Sequence, residues 1–88
     1  MFSKTLVEVD RPSWPNGDMR RCIKLRVTRI LRCNRIHAGV HVQDCGTVVM
    51  YPHTRHDENL MYGVNWARLM SMCMRYGVSC IVRYTVNE

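Results

Sequence analysis

The chain has 88 residues, 47% of them hydrophobic and 23% charged, which fits one domain with a modest core and excludes a disordered protein. Its 13 lysines and arginines outnumber its 7 aspartates and glutamates, and arginine, which contacts phosphates and carboxylates at two points, supplies 11 of the 13. The longest apolar run, 48–51, is too short to cross a membrane. Met1–Lys4 does not resemble a secretion signal, so we expect one cytoplasmic domain over 1–88 with no membrane partner.

The first element in chain order is a strand over 2–9, followed by a loop over 10–19. That loop holds two prolines and the turn pair Asn16-Gly17. Trp14 lies between the prolines and has two interpretations. It is a lid over one end of the core, or it is an exposed anchor for a partner, since tryptophan is enriched where partners bind most strongly.

Residues 21–31 predict a second strand because Ile23, Leu25 and Val27 alternate with polar residues. The alternation slips at Arg29-Ile30, where a bulge would fit. Two further strands follow at 36–43 and 47–51. The links between these strands are short, so antiparallel hairpins are expected.

Leu60–Tyr76 predicts one helix, which begins after the acidic residues 57–58 and ends at Gly77. Residues 78–86 then alternate as a last strand. The predicted order is therefore β-β-β-β-α-β. The fold class is α+β, a small and mostly antiparallel sheet with one helix packed on one face.

The apolar positions of this helix cover more than half of its circumference. Either the second side also packs on the sheet, or a side rich in methionine stays open for a partner, including a second copy in a homodimer. The methionines in question are Met61, Met70 and Met74.

Seven basic residues fall within a stretch that contains no acidic residue. They are Arg20, Arg21, Lys24, Arg26, Arg29, Arg32 and Arg35. On strands they would make one sheet face positive, and such a face attracts phosphate or acidic protein surface. The alternative is a solvated face that keeps the protein in solution. With Trp14, these seven residues form the predicted partner-binding site.

The ligand of that site is either acidic protein surface or nucleic-acid backbone. No aromatic residue lies within 20–35, whereas proteins that bind single strands place aromatics among their basic residues to stack on bases. No base-reading motif is present. Nucleic acid would therefore be held by its backbone, without base specificity.

Metal binding and catalysis are not expected, and neither is a cofactor. Cys33, His37, His41 and Cys45 recur every four residues, but four residues of strand span about 13 Å, too far for neighbours to share one ion. Five cysteines without CxxC spacing indicate free thiols. No phosphate loop, nucleophile elbow or zinc-protease motif occurs, so the protein is predicted not to be an enzyme.

In size and layout the chain resembles the small inhibitors that bacteriophages encode against host polymerases or defence complexes. The pattern of Leu60–Tyr76, Gly77 and Val78–Val86 carries this resemblance. It implies a non-catalytic binding protein that occupies a surface of a nucleic-acid-handling or defence complex. A nucleic-acid-binding module is the alternative.

Overall fold

A computed structural model describes residues 2–11 and 16–84. Within them the elements are β1 (Phe2–Val7), α1 (Gly17–Cys33), β2 (Ala38–Val42), β3 (Thr47–Pro52), α2 (Arg55–Tyr62), α3 (Ala67–Tyr76) and β4 (Ser79–Tyr84). The α+β class is confirmed. The predicted single helix and mostly antiparallel sheet are wrong, because the described chain has three helices and a mixed four-stranded sheet.

The predicted strand at 21–31 is the helix α1. Asn16 caps this helix, since its Oδ1 accepts a hydrogen bond from the Met19 N–H at 2.8 Å. Its buried residues are Ile23, Val27 and Leu31, which are four residues apart and therefore share one helical face. Leu25, which the strand pattern placed inside, is 66% exposed.

The predicted helix at 60–76 is two helices. Thr54 caps α2 by accepting a hydrogen bond from the Asp57 N–H, and Gly63 ends it. Asn65 Oδ1 accepts a hydrogen bond from the Ala67 N–H at the start of α3. Gly77 ends α3 with a left-handed φ of 69°, as the sequence predicts.

The strands lie in the order β1-β4-β3-β2. The hairpin of β2 and β3 is antiparallel as predicted, and β1 is antiparallel to β4. Strands β3 and β4 are parallel, because α2 and α3 carry the chain back to the end of the sheet at which β3 begins. This crossover makes the sheet mixed.

All three helices contribute to one core over one side of the sheet. Val48 and Met50 of β3 and Val82 of β4 lie in this core with helix residues that include Ile23 and Leu69. Helix α1 crosses from β1 at one edge of the sheet to β2 at the other. It therefore presents its polar side to solvent along the outside of the helix layer.

The side of the helix pair that carries the methionines is not one open surface. Met61 is fully buried in the core, Met70 is half-buried and Met74 is 61% exposed. A dimer through these three residues together would require Met61 to leave the core. Separately, none of the described helices has the length and apolar character needed to cross a membrane.

Candidate anion-binding groove

A groove of about 900 Å³ runs between α1 and α3. The α1 wall consists of Asp18, Arg21, Cys22, Leu25, Arg26, Arg29, Ile30 and Cys33, with Asn34 at its end. The α3 wall consists of Asn65, Arg68, Ser71, Met72 and Arg75. Among residues 2–11 and 16–84, five arginines and one aspartate therefore line a single concave surface.

The helical repeat explains how α1 directs basic residues into the groove. Arg26 and Arg29 are three residues apart and lie on the side of α1 away from Ile23 and Val27. They are separated by about 4.5 Å along the helix axis, at 1.5 Å per residue. Two neighbouring guanidinium groups can thus contact one carboxylate or phosphate, or two adjacent ones.

Helix α3 supplies the opposite wall by the same rule. Arg68 and Arg75 are seven residues apart, so they lie on one face about 10.5 Å from each other along the axis. Leu69 and Cys73 point to the core from the other face. The groove is therefore basic on both walls.

None of the five groove arginines forms a salt bridge with a carboxylate of residues 2–11 or 16–84. Asp18, in the first turn of α1, is the acidic residue of the described lining. Positive charges that line one groove repel each other, so an anion that enters the groove reduces this repulsion.

The groove also has apolar lining. Ile30 and Met72 are half-buried and pack against the core, while Leu25 projects from the α1 wall. No aromatic side chain of residues 2–11 or 16–84 lines it. A ligand that matches this surface carries negative groups together with apolar ones.

Cys22 is a half-buried thiol in the same wall of the groove. A hydrogen bond with Arg26 lowers the pKa of the Cys22 thiol most. The Tyr76 hydroxyl, 3.8 Å from Cys22 Sγ, lowers it further. The same contact with Cys22 raises the pKa of Arg26. A lowered pKa increases the fraction of thiolate at neutral pH, and the thiolate is the nucleophilic form of cysteine.

The structure separates the residues predicted to bind a partner. Arg21, Arg26 and Arg29 line the groove. Arg20 forms a salt bridge with Asp44 and, with Lys24, faces β2 on another side of α1. Arg32 and Arg35 are exposed at the C-terminal end of α1, and Trp14 lies outside the described residues.

Arg68 and Arg75 were missed by the sequence reasoning. They lie in a segment whose apolar positions decided the helix prediction. Their spacing of seven residues, which places both on the polar face of a helix, is the signal that could have found them. Recognising 21–31 as a helix would have been needed as well, because the groove exists only between two helices.

The residues considered for metal binding or catalysis include Cys45 and His41. Within residues 2–11 and 16–84, no three histidine, cysteine, aspartate or glutamate side chains are close enough to hold a metal ion. The single S–H of Cys45 can donate to Gln43 Oε1, 3.4 Å from its Sγ, or to Thr47 Oγ1, 3.6 Å away, and no hydrogen bond joins Cys45 to His41.

Comparison of the chain with protein-family models, with curated proteins and with solved structures found no match in any of the three.

Proposed function

We propose that this protein is a non-catalytic binding protein that uses the α1–α3 groove to occupy an acidic surface of another protein. The observation that carries the proposal is the set of five arginines on two walls, none paired with a described carboxylate. A surface that carries unneutralised charge of one sign is complementary to a partner of the opposite sign.

The apolar part of the groove favours protein over nucleic acid as the ligand. Leu25 is 66% exposed beside the arginines, and an apolar side chain of a partner would remove it from water. A phosphate backbone offers no such group, and bases would require stacking partners, which the described part of the lining lacks. That the partner is part of a host polymerase or defence complex stays a prediction of the sequence.

The test compares two double variants with the same change of charge. Arg26→Glu with Arg68→Glu reverses one residue on each wall of the groove. Arg11→Glu with Arg32→Glu is the matched control, since both residues are exposed and neither lines the groove. The probe is a fluorescent helical peptide of about 14 residues, or four turns, with glutamate and leucine on one face.

We expect the groove variant to bind this peptide at least about tenfold more weakly than the unchanged protein, a loss of about 1.4 kcal/mol. The control should lose much less, because distant exposed charges act through a screened field. Equal losses in both variants would show that net charge, and not the groove, binds the peptide. Tighter binding of a duplex oligonucleotide with a steep salt dependence would favour the nucleic-acid alternative.

A further inference from the structure

Strand β2 lies at the end of the sheet, with β3 on one side and no described strand on the other. An edge strand presents unpaired backbone N–H and C=O groups, which can pair with a strand from another chain. Whether β2 can do so depends on which of its residues direct these groups outward, and on what lies beside the edge.

The hydrogen bonds between β2 and β3 identify the outward groups. The Gln43 N–H donates to the Thr47 carbonyl at 2.8 Å, and the His53 N–H donates to the His37 carbonyl at 3.1 Å. In an antiparallel pair, residues alternate between facing the neighbouring strand and facing away from it. The odd-numbered residues of β2 therefore face β3, and the backbone groups of Ala38, Val40 and Val42 face outward.

The register supports this assignment. Pro52, which has no N–H, lies opposite Ala38, at a position where the alternation requires no hydrogen bond between the two strands. No backbone or side-chain hydrogen bond outside the strand ladders reaches Val40 or Val42 among residues 2–11 and 16–84. The outer edge of β2 is thus free of described partners.

The surface beside this edge is basic. A hollow of about 360 Å³ lies between the start of α1 and β2, and its lining is Gly17, Arg20, Arg21, Lys24, Val40, His41 and Val42. Arg20 is engaged by Asp44, whereas Arg21 and Lys24 form no salt bridge with a described carboxylate. The N-terminal end of α1 adds its partial positive charge at the same place.

We propose that the β2 edge binds an extended acidic segment of a partner protein by strand addition. The partner's backbone pairs with the outward N–H and C=O groups of Val40 and Val42, and its carboxylates face Arg21 and Lys24. This mode of recognition uses main-chain hydrogen bonds for affinity and flanking side chains for selectivity. Arg21 also lines the α1–α3 groove, whereas Lys24, Val40 and Val42 do not, so the proposal is tested at these three residues.

A second copy of this chain fits the edge poorly. Pairing two β2 strands would bring Arg21 and Lys24 of one copy close to the same residues of the other, and like charges in contact disfavour association. Positive residues along an edge are also a common means by which proteins prevent pairing with themselves. The occupant is therefore acidic.

The experiment measures amide hydrogen exchange by NMR with and without an acetylated peptide in which valine and glutamate alternate. The peptide has about eight residues, a typical strand length. We expect the peptide to slow exchange of the Val40 and Val42 amides at least about tenfold at saturation, since each becomes hydrogen-bonded. A peptide with lysine in place of glutamate should give no protection.

Three variants define the result. Lys24→Glu should weaken binding at least about fivefold, while Arg32→Glu, also exposed on α1, should change it little. Val40→Pro removes one outward N–H and no bond to β3, so a variant that retains the native circular dichroism should lose binding. The groove variant Arg26→Glu with Arg68→Glu should still bind, which separates this proposal from the proposed function.

Binding of the peptide without protection of Val40 and Val42 would overturn the proposal. So would protection that appears without peptide as the protein concentration rises, because the occupant would then be a second copy.

Discussion

Replacing Trp66 with alanine tests the core that holds α3 against the sheet and thereby fixes the groove. Trp66 is 9% exposed and immediately precedes α3. A tryptophan buries about 150–250 Å², which at about 25 cal/mol per Å² corresponds to about 4–6 kcal/mol. Allowing for burial that persists in a compact unfolded chain, we expect a loss of about 3–5 kcal/mol in the free energy of unfolding.

This loss is large for a chain of 88 residues, whose total stability is about 4–13 kcal/mol at typical values per residue. The assay is urea unfolding followed by circular dichroism, with thermal unfolding as a second measure. A destabilisation of 3 kcal/mol should lower Tm by about 12–24 °C at this size. Trp66→Phe, which keeps a ring in the site, should lose less than half as much. A loss below about 1 kcal/mol for Trp66→Ala would refute the placement of Trp66 in the core.

Three further predictions concern single residues. Asp57 accepts hydrogen bonds from the His37 N–H and from the Thr54 hydroxyl, and these bonds lower its pKa. The charged carboxylate therefore stabilises the fold above about pH 4, and this stabilisation is lost as the pH falls through the lowered pKa. Asp57→Asn should therefore be less stable at pH 7, with the difference from the unchanged protein narrowing below pH about 4; a constant difference in urea unfolding would contradict this. Gly77→Ala should cost about 1–2 kcal/mol because φ is 69° there, and the same measurement on Gly17→Ala should show no loss. Cys22 should react with iodoacetamide faster at pH 7 than it does in Arg26→Gln, and equal rates would mean that Arg26 does not lower its pKa.

The interpretation of 21–31 as a strand failed because two periodicities overlap there. Ile23, Leu25 and Val27 alternate as in a strand, but Ile23, Val27 and Leu31 also repeat as in a helix. The slip in the alternation after residue 28 and the cap at Asn16 were both signals of a helix. The pair Asn16-Gly17 predicts a turn as readily as the start of a helix, since asparagine favours both positions.

The remaining differences arise from contacts between distant residues. The break at Gly63 was visible as a glycine within the predicted helix. The strand predicted at 47–51 lies within one residue of β3, and the strand predicted at 78–86 begins within one residue of β4, while 85–86 lie outside the described residues. Strands β3 and β4 are parallel because the chain crosses between them through α2 and α3. Parallel neighbours need a long connection, and these two helices provide it. The groove could not be predicted, because it requires knowing that α1 and α3 lie side by side.

The most direct test of the groove as the binding site is an NMR titration that follows the Nε–Hε signals of the arginine side chains as the acidic helical peptide is added. We predict that the signals of Arg26, Arg29 and Arg68 shift and saturate together at one peptide per protein, while those of Arg11 and Arg32 remain near their starting positions. Shifts of equal size at all arginines, without saturation, would show diffuse attraction to a basic protein and would contradict a defined groove.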